Sequence, residues 1–396
     1  MRVDYGKTVH GNAEIEAVIH VLRTSTQMSK HVGEFERRVA ALFGKKHGIM
    51  VNSGSSALIL AVETLKLPPG SEVITPALTF ATTVGSIVRN GCVPAYVDAA
   101  PDTYNIDVER IEEMITDKTR AMVIPNLIGN LPNWRAIRAI ADKHSLFVVE
   151  DSADTLGATI DGKTVGSFSN TSTTSFYGSH VINCGGNGGM LCTDDDETAR
   201  SAKLLRSWGR SSSLFANSES VASRFDVELE GIPYDRKFIF EAVGHNFEPS
   251  EMGAAFGLVQ LDQLEKNIDV RERNFERHTR FFERYPNLFS MPKQLPGART
   301  GWLAFPMVIR PEAPFSRRDF QIALETADIQ TRTVFTGNIL RQPGFRDLPC
   351  KRAAGGYPEA DRVMRGGVLL GCHHGLTNEQ IVYLYHTVEK FIAEHV

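Results

Sequence analysis

The stretch Ser175-Phe176-Tyr177-Gly178-Ser179-His180-Val181-Ile182-Asn183-Cys184-Gly185-Gly186-Asn187-Gly188-Gly189 combines a titratable ring with hydroxyls and five glycines. Glycine at that density means a backbone that turns sharply or comes close to a ligand. A lone histidine is more often a satisfied structural residue than a catalyst, but an imidazole changes charge near neutral pH, and within a Ser/Gly-rich loop after a strand His180 has the chemistry of a general acid or base. A second segment, Phe147-Val148-Val149-Glu150-Asp151-Ser152-Ala153-Asp154, ends an apolar run in carboxylates. Such a carboxylate either caps the strand in solvent or pairs with a protonated ring nitrogen. A third, Val51-Asn52-Ser53-Gly54-Ser55-Ser56-Ala57, precedes the apolar helix Leu58–Leu65. Small residues at a helix start leave N–H groups free for an anion, and they are also ordinary N-caps.

These three segments need a scaffold, and the pattern around them supplies one. From about residue 50 to 195 short apolar strands alternate with amphipathic helices. Strands are predicted at Val73–Thr75, Val93–Val97, Ala121–Pro125 and Leu146–Val149, with helices at Thr82–Asn90, Asp107–Ile115 and Trp134–Lys143. Continuous Val/Ile/Leu strands indicate an α/β fold with a mainly parallel sheet covered on both faces. In such a sheet the site lies outside the carboxyl ends of the strands. Glu251 to Tyr285 reads as one long helix stopped by Pro286, followed by a strand at Trp302–Ile309 and a helix at Arg318–Ala327. The expected division is a large domain over 1–250 that carries the three segments, and the long helix plus a smaller α+β C-terminal domain over 251–396. The N-terminal segment is free to pack on the small domain.

Bulk properties narrow the class. A chain of 396 residues with 42% hydrophobic and 23% charged residues has the make-up of a two-domain globular protein. A net charge of −4 gives no general attraction to nucleic acid or to an anionic membrane. The first twenty residues have neither the basic start nor the apolar stretch of a signal peptide, and no apolar run has membrane-spanning length, which gives the expectation of a cytoplasmic protein. Cys92, Cys184, Cys192, Cys350 and Cys372 are scattered without a C-x-x-C pair, so neither a disulfide framework nor a metal site is expected.

In this order along the chain, the three segments resemble the DegT/DnrJ/EryC1/StrS family of nucleotide-sugar aminotransferases, and the similarity extends over essentially the whole sequence. The resemblance implies the aspartate-aminotransferase fold (fold type I) and pyridoxal or pyridoxamine 5′-phosphate as cofactor. It implies that Gly54, Ser55 and Ser175 hold the cofactor phosphate, that Phe80 lies against the pyridine face and that Asp151 meets the ring nitrogen. Val243-Gly244-His245-Asn246 resembles the stretch whose asparagine reaches the phosphate in the partner subunit, so a homodimer with shared sites is implied.

Most members of that family carry lysine where this chain has His180. Lysine is needed there for the covalent link to the cofactor; histidine can move the proton but cannot form the link. The swap resembles the nucleotide-diphospho-4-keto-6-deoxyhexose 3-dehydratases of the colitose and ascarylose type. Asp154, where the aminotransferases usually have glutamine, points the same way and joins His180 as a catalytic candidate. So do Leu127-Ile128-Gly129-Asn130-Leu131-Pro132, Thr331 through Asn338 and Arg341-Gln342-Pro343, with Arg332 and Asn338 as substrate-binding candidates for a nucleotide-diphosphate sugar. The ascarylose-type cluster cysteines fall around Ser207 to Ser213, where this chain has serines, so no iron–sulfur cluster is expected. Glu248 stands where the family usually has a basic residue, which departs from glutamate as amino donor. Two other readings stay open: a transaminase using another lysine such as Lys203 or Lys237, and a non-catalytic relic of the fold.

Overall fold

The apolar strands assemble into one seven-stranded sheet in a computed structural model that describes residues 1–215 and 221–396. Its strands are β1 (His47–Val51), β2 (Glu72–Pro76), β3 (Val93–Val97), β4 (Thr119–Pro125), β5 (Phe147–Ser152), β6 (Thr171–Ser175) and β7 (Gly189–Thr193). They lie in the order β1-β7-β6-β5-β4-β2-β3. Every pair is parallel except those of β7, which runs antiparallel to both β1 and β6. The central strands are buried on both faces, which explains why they read as unbroken apolar runs. Helices Ala81–Arg89 and Trp134–Lys143 make two of the crossovers.

Two helices differ from expectation. Asp107–Ile115 is not one α-helix but two short 3-10 turns, Val108–Arg110 and Glu112–Met114. Its buried residues, Ile111 and Met114, are spaced by three, the period at which 3-10 side chains eclipse. The helix expected over Glu251–Tyr285 is broken at Asp262–Gln263 into Glu251–Leu261 and Leu264–Phe282. The first half is apolar and buried almost all round, whereas the second is charged and buries a single stripe. The break falls where the burial pattern changes from nearly all-round to a single stripe.

A four-stranded antiparallel sheet follows, β8 (Phe289–Ser290), β9 (Ala304–Ile309), β10 (Thr331–Arg332) and β11 (Gly367–Gly371), in the order β8-β9-β11-β10. Phe282, Phe289, Phe305 and Phe320 fill its core. Helix Arg317–Thr326 packs on it, begun by a capping box between Ser316 and Asp319. The N-terminal segment, whose Thr8 Oγ1 donates to the Gly178 carbonyl at 2.8 Å, and the approach to β9 bring this sheet to the large one. Val3 pairs with Ile329, which lays the N-terminal segment beside β10. Leu303 N–H donates to the Ile128 carbonyl at 2.9 Å, and Thr300 Oγ1 donates to the Gly129 carbonyl at 2.8 Å, tying the approach to β9 onto the end of β4. Among the described residues no helix is long and apolar enough to cross a membrane.

Candidate active site

A cavity of about 390 Å3 opens at the carboxyl ends of β4, β5 and β6, where a parallel sheet places its loops and helix starts. One end is formed by the helix Gly54–Glu63, which begins four residues earlier than the apolar pattern indicates because Ser53 caps it, accepting from Ser56 N–H at 3.1 Å. Gly54 and Ser55 therefore occupy its first turn, whose N–H groups have no intrahelical acceptor, and both line the cavity beside Ser175. A Cβ on Gly54 would stand 2.7 Å from the Ser175 Cβ, so only glycine lets the helix start meet the strand end so closely. This is the donor set of an anion site.

Beyond it lies Asp151, the last-but-one residue of β5 and 5% exposed. Its carboxylate accepts from Thr83 Oγ1 at 2.7 Å and from Ala153 N–H at 3.2 Å. Burial nevertheless pushes its pKa above the ordinary carboxylate range. A buried carboxylate with only neutral donors is one that a cationic partner would stabilise, and a protonated pyridine nitrogen is such a partner. Phe80, 49% exposed, turns its ring into the same space and meets Phe335 edge-on at 5.5 Å between centroids. Anion donors, an aromatic wall and a buried carboxylate in one cavity fit a pyridoxal-type phosphate.

At the far end of this chamber is His180. Its Nδ1 sits 3.0 Å from the Ser175 carbonyl, an acceptor only, so Nδ1 carries the proton and Nε2 has the free lone pair. Burial pushes its pKa down to about 4, and the positive charge of Arg271 adds to that. Nε2 lies 4.0 Å from Asp154 Oδ1, both side chains being 12% exposed. The other Asp154 oxygen accepts from Ile128 N–H at 2.8 Å. Ile128 reaches that position with φ of 62°, a strained conformation for a β-branched residue. Burial raises Asp154 to about 7 despite that bond. The predicted Leu-x-Gly-Asn segment thus acts through its backbone, by presenting an N–H to the carboxylate.

A second cleft of about 420 Å3 adjoins the first through Tyr5, Phe80 and Phe335. Arg332 lines it, its guanidinium 5.3 Å from the Tyr5 ring centre, with Thr333, Thr336 and Gln342 alongside. Asn338 does not meet the expectation of a substrate contact. It is buried, its Nδ2 donates to Asp361 at 2.8 Å and its Oδ1 accepts from Leu340 N–H at 3.1 Å, so its side chain is occupied in capping a turn. Asn246 is exposed and lines neither of these cavities; its carbonyl is bridged by Asn52 Nδ2 at 3.5 Å. Lys203 lines a separate surface cleft with His47 and Asp196, and Lys237 sits in a 3-10 turn. Sequence reasoning missed Thr83, Tyr5 and Arg271. Only Thr83 left a trace, as a polar residue on the inner face of a helix that opens at a strand's end.

Comparison with known proteins places the chain in a family. The family model for the DegT/DnrJ/EryC1/StrS aminotransferase family matches residues 9–389. The chain is 35% identical over 371 residues to a dTDP-4-dehydro-2,6-dideoxy-D-glucose 3-dehydratase of Saccharopolyspora spinosa, covering 91% of this chain and 80% of the relative. It is 33% identical over 246 residues to a GDP-perosamine synthase of Caulobacter vibrioides, covering 62% and 60%. Among solved structures it resembles an E. coli GDP-4-keto-6-deoxy-D-mannose-3-dehydratase with bound hydrated PLP, with a TM-score of 0.87 and 27% identity over 98% of this chain and all of that one. The fold is that of the fold-type-I pyridoxal-phosphate enzymes, and the chain belongs to the DegT/DnrJ/EryC1/StrS aminotransferase family, whose members modify sugars with that cofactor.

Proposed function

We propose that this protein removes the C3 hydroxyl of a nucleotide-diphospho-4-keto-6-deoxyhexose, using pyridoxamine phosphate held without a covalent tether. The observation that carries the reading is His180, standing in place of the family's lysine with Nδ1–H fixed on a carbonyl and Nε2 free toward the chamber. Pyridoxamine phosphate, when bound, supplies an amine for the sugar ketone and a ring that accepts electrons. Gly54, Ser55 and Ser175 would hold its phosphate, Phe80 would cover its ring, and Asp151 would keep the ring nitrogen protonated. His180, with its free lone pair on Nε2, would serve as the base that holds the proton of this chemistry and as the acid that passes it to the C3 oxygen as that group leaves. Asp154, 4.0 Å away, stabilises the imidazolium between those two events. Arg332 meets the diphosphate in the outer cleft. Asn246, exposed on the surface, reaches the phosphate site of a second copy, which makes the working unit a homodimer.

The GDP-perosamine synthase likeness favours a second reading, transamination through another lysine. That requires an amine in the chamber, and among the described residues no lysine lines it. The deciding experiment incubates the protein with pyridoxamine phosphate and a panel of 4-keto-6-deoxy nucleotide sugars, following loss of water by mass. Water loss is the expected result; a borohydride-stable lysine adduct of pyridoxal phosphate, with no water loss, would favour the transaminase.

A further inference from the structure

Arg271, in the helix Leu264–Phe282, is fully buried. Among the described residues none of its hydrogen bonds goes to a carboxylate. Its Nη2 donates to the Ser179 carbonyl at 3.0 Å, and its Nη1 to the carbonyls of Trp302 at 3.0 Å and Leu303 at 3.3 Å. Its Nε donates to His374 Nδ1 at 3.2 Å, so that histidine nitrogen is unprotonated. Burying a guanidinium against neutral acceptors is costly, and an apolar side chain of the same size would fill the space at lower cost. Arg271 therefore needs a reason beyond packing, and its partners supply one. Ser179 immediately precedes His180, while Leu303 is a wall of the same chamber.

We propose that Arg271 is the positioning residue for His180: its planar fork clamps the peptide before the histidine to the Trp302–Leu303 wall, and its charge favours the neutral imidazole. The proposal rests on His180 being the proton carrier. Lysine has the charge but not the fork geometry that spans carbonyls from two segments at once. The groups facing His180 from the surrounding elements are Asp154 and Asp151 at the end of β5, Tyr5 from the N-terminal segment, and Tyr177 in its own loop. Arg271 stands behind it, backed by His373 and His374. Burial is the main influence that keeps this imidazole neutral, the Ser175 carbonyl opposes it, and the cation of Arg271 adds to the effect of burial.

The test compares Arg271→Lys with Arg271→Gln, both loaded with pyridoxamine phosphate. His180 is titrated by NMR of ring-labelled histidine, its signal assigned by loss in His180→Asn. In Arg271→Lys the His180 titration should stay where it is in the parent protein, while turnover falls at least tenfold with the sugar KM within twofold. In Arg271→Gln the titration should move up by half a unit or more, and the acid limb of the rate profile should move with it. A purely structural residue would lower activity at all pH values without moving that limb. The proposal is overturned if either folded variant keeps full turnover, or if the His180 titration in Arg271→Gln is unmoved. Should the glutamine variant not fold, the lysine variant decides alone; if that also fails to fold, Arg271 is structural and the proposal falls. The NMR readout needs no sugar, so failure of water loss in the parent protein would sink the dehydratase reading without touching this result.

Discussion

The end of the chamber that holds Ser55, Ser175 and Asp151 is assembled from short local segments, whereas the end that holds His180 and Asp154, with the adjoining cleft that holds Arg332, is assembled across the whole chain. At the first end each side chain sits where a strand stops or a helix starts, with Thr83 Oγ1 adding a single side-chain bond to Asp151. At the second, His180 is held through Arg271 and the approach to β9, Asp154 through a strained turn after β4, and Arg332 stands over a tyrosine from the N-terminus. Under the proposed function, the difference separates two tasks. A phosphate and a pyridine ring are the same throughout the cofactor's enzymes, so a fixed cradle serves them. Proton transfer and sugar recognition need groups whose charge and angle are adjusted by neighbours, and those neighbours come from far away in sequence.

The comparison breaks most visibly at His180. Replacing it with asparagine should lower water loss by about 10^3-fold, within the range that positioned acid–base groups contribute. Cofactor binding, followed by absorbance titration, should stay within twofold of the parent. A parallel loss of cofactor would mean that the two ends are not separable. Asp151→Asn should do the opposite: cofactor affinity falls about tenfold or more, the worth of a charge-assisted hydrogen bond, and turnover falls with it because the ring nitrogen loses its counter-charge.

Asp154 sharpens the contrast, because it lies three residues from Asp151 and its pKa of about 7 makes it a switchable charge. In the unfolded chain an aspartate titrates near 3.9. With the folded value raised, the group favours the fold below about pH 4, and that contribution is lost as pH rises through 7. Asp154→Asn should therefore match the parent in thermal stability at pH 4 and exceed it at pH 8 in cofactor-free protein. The gain is on the order of a few kcal/mol, since one pKa unit is worth about 1.4 kcal/mol. Turnover should fall about tenfold through loss of support for the imidazolium. Equal melting curves at both pH values would show that the carboxylate carries no burial penalty.

How much of this was legible follows the same division. The α/β alternation and the strand-end carboxylates were readable because periodicity and helix-start residues are local signals. Gly54, Ser55, Ser175, Asp151 and His180 all came from contiguous motifs and all line the chamber. The break at Asp262–Gln263 was not readable, because both halves have helical composition and only the direction of burial changes. Tyr5 and Arg271 were not readable either. One looks like any residue near a terminus and the other like one of many arginines on an amphipathic helix, and only tertiary contact gives them a partner. Asn338 shows the converse: its motif points to the site, yet the fold spends the side chain on Asp361 and a turn N–H.

That last case yields the smallest and most discriminating pair of effects. Arg332 and Asn338 lie six positions apart in one matching segment, but only Arg332 faces the outer cleft. Arg332→Ala should raise the KM for the nucleotide sugar about tenfold with turnover nearly unchanged, the signature of lost uniform binding. That guanidinium is half exposed and meets only a carbonyl of its own neighbour at 2.6 Å, Glu325 at 3.9 Å and the Tyr5 ring, so no bidentate partner holds it from turning toward a diphosphate. Asn338→Ala should leave KM and turnover alone and cost about 1 kcal/mol of stability, the usual worth of a capping side chain. The Asp361 carboxylate keeps Arg341 as a partner in that variant, which limits the damage. A raised KM in Asn338→Ala with unchanged stability would instead bring Asn338 back to the sugar, and with it the view that the outer cleft is encoded as locally as the cofactor cradle.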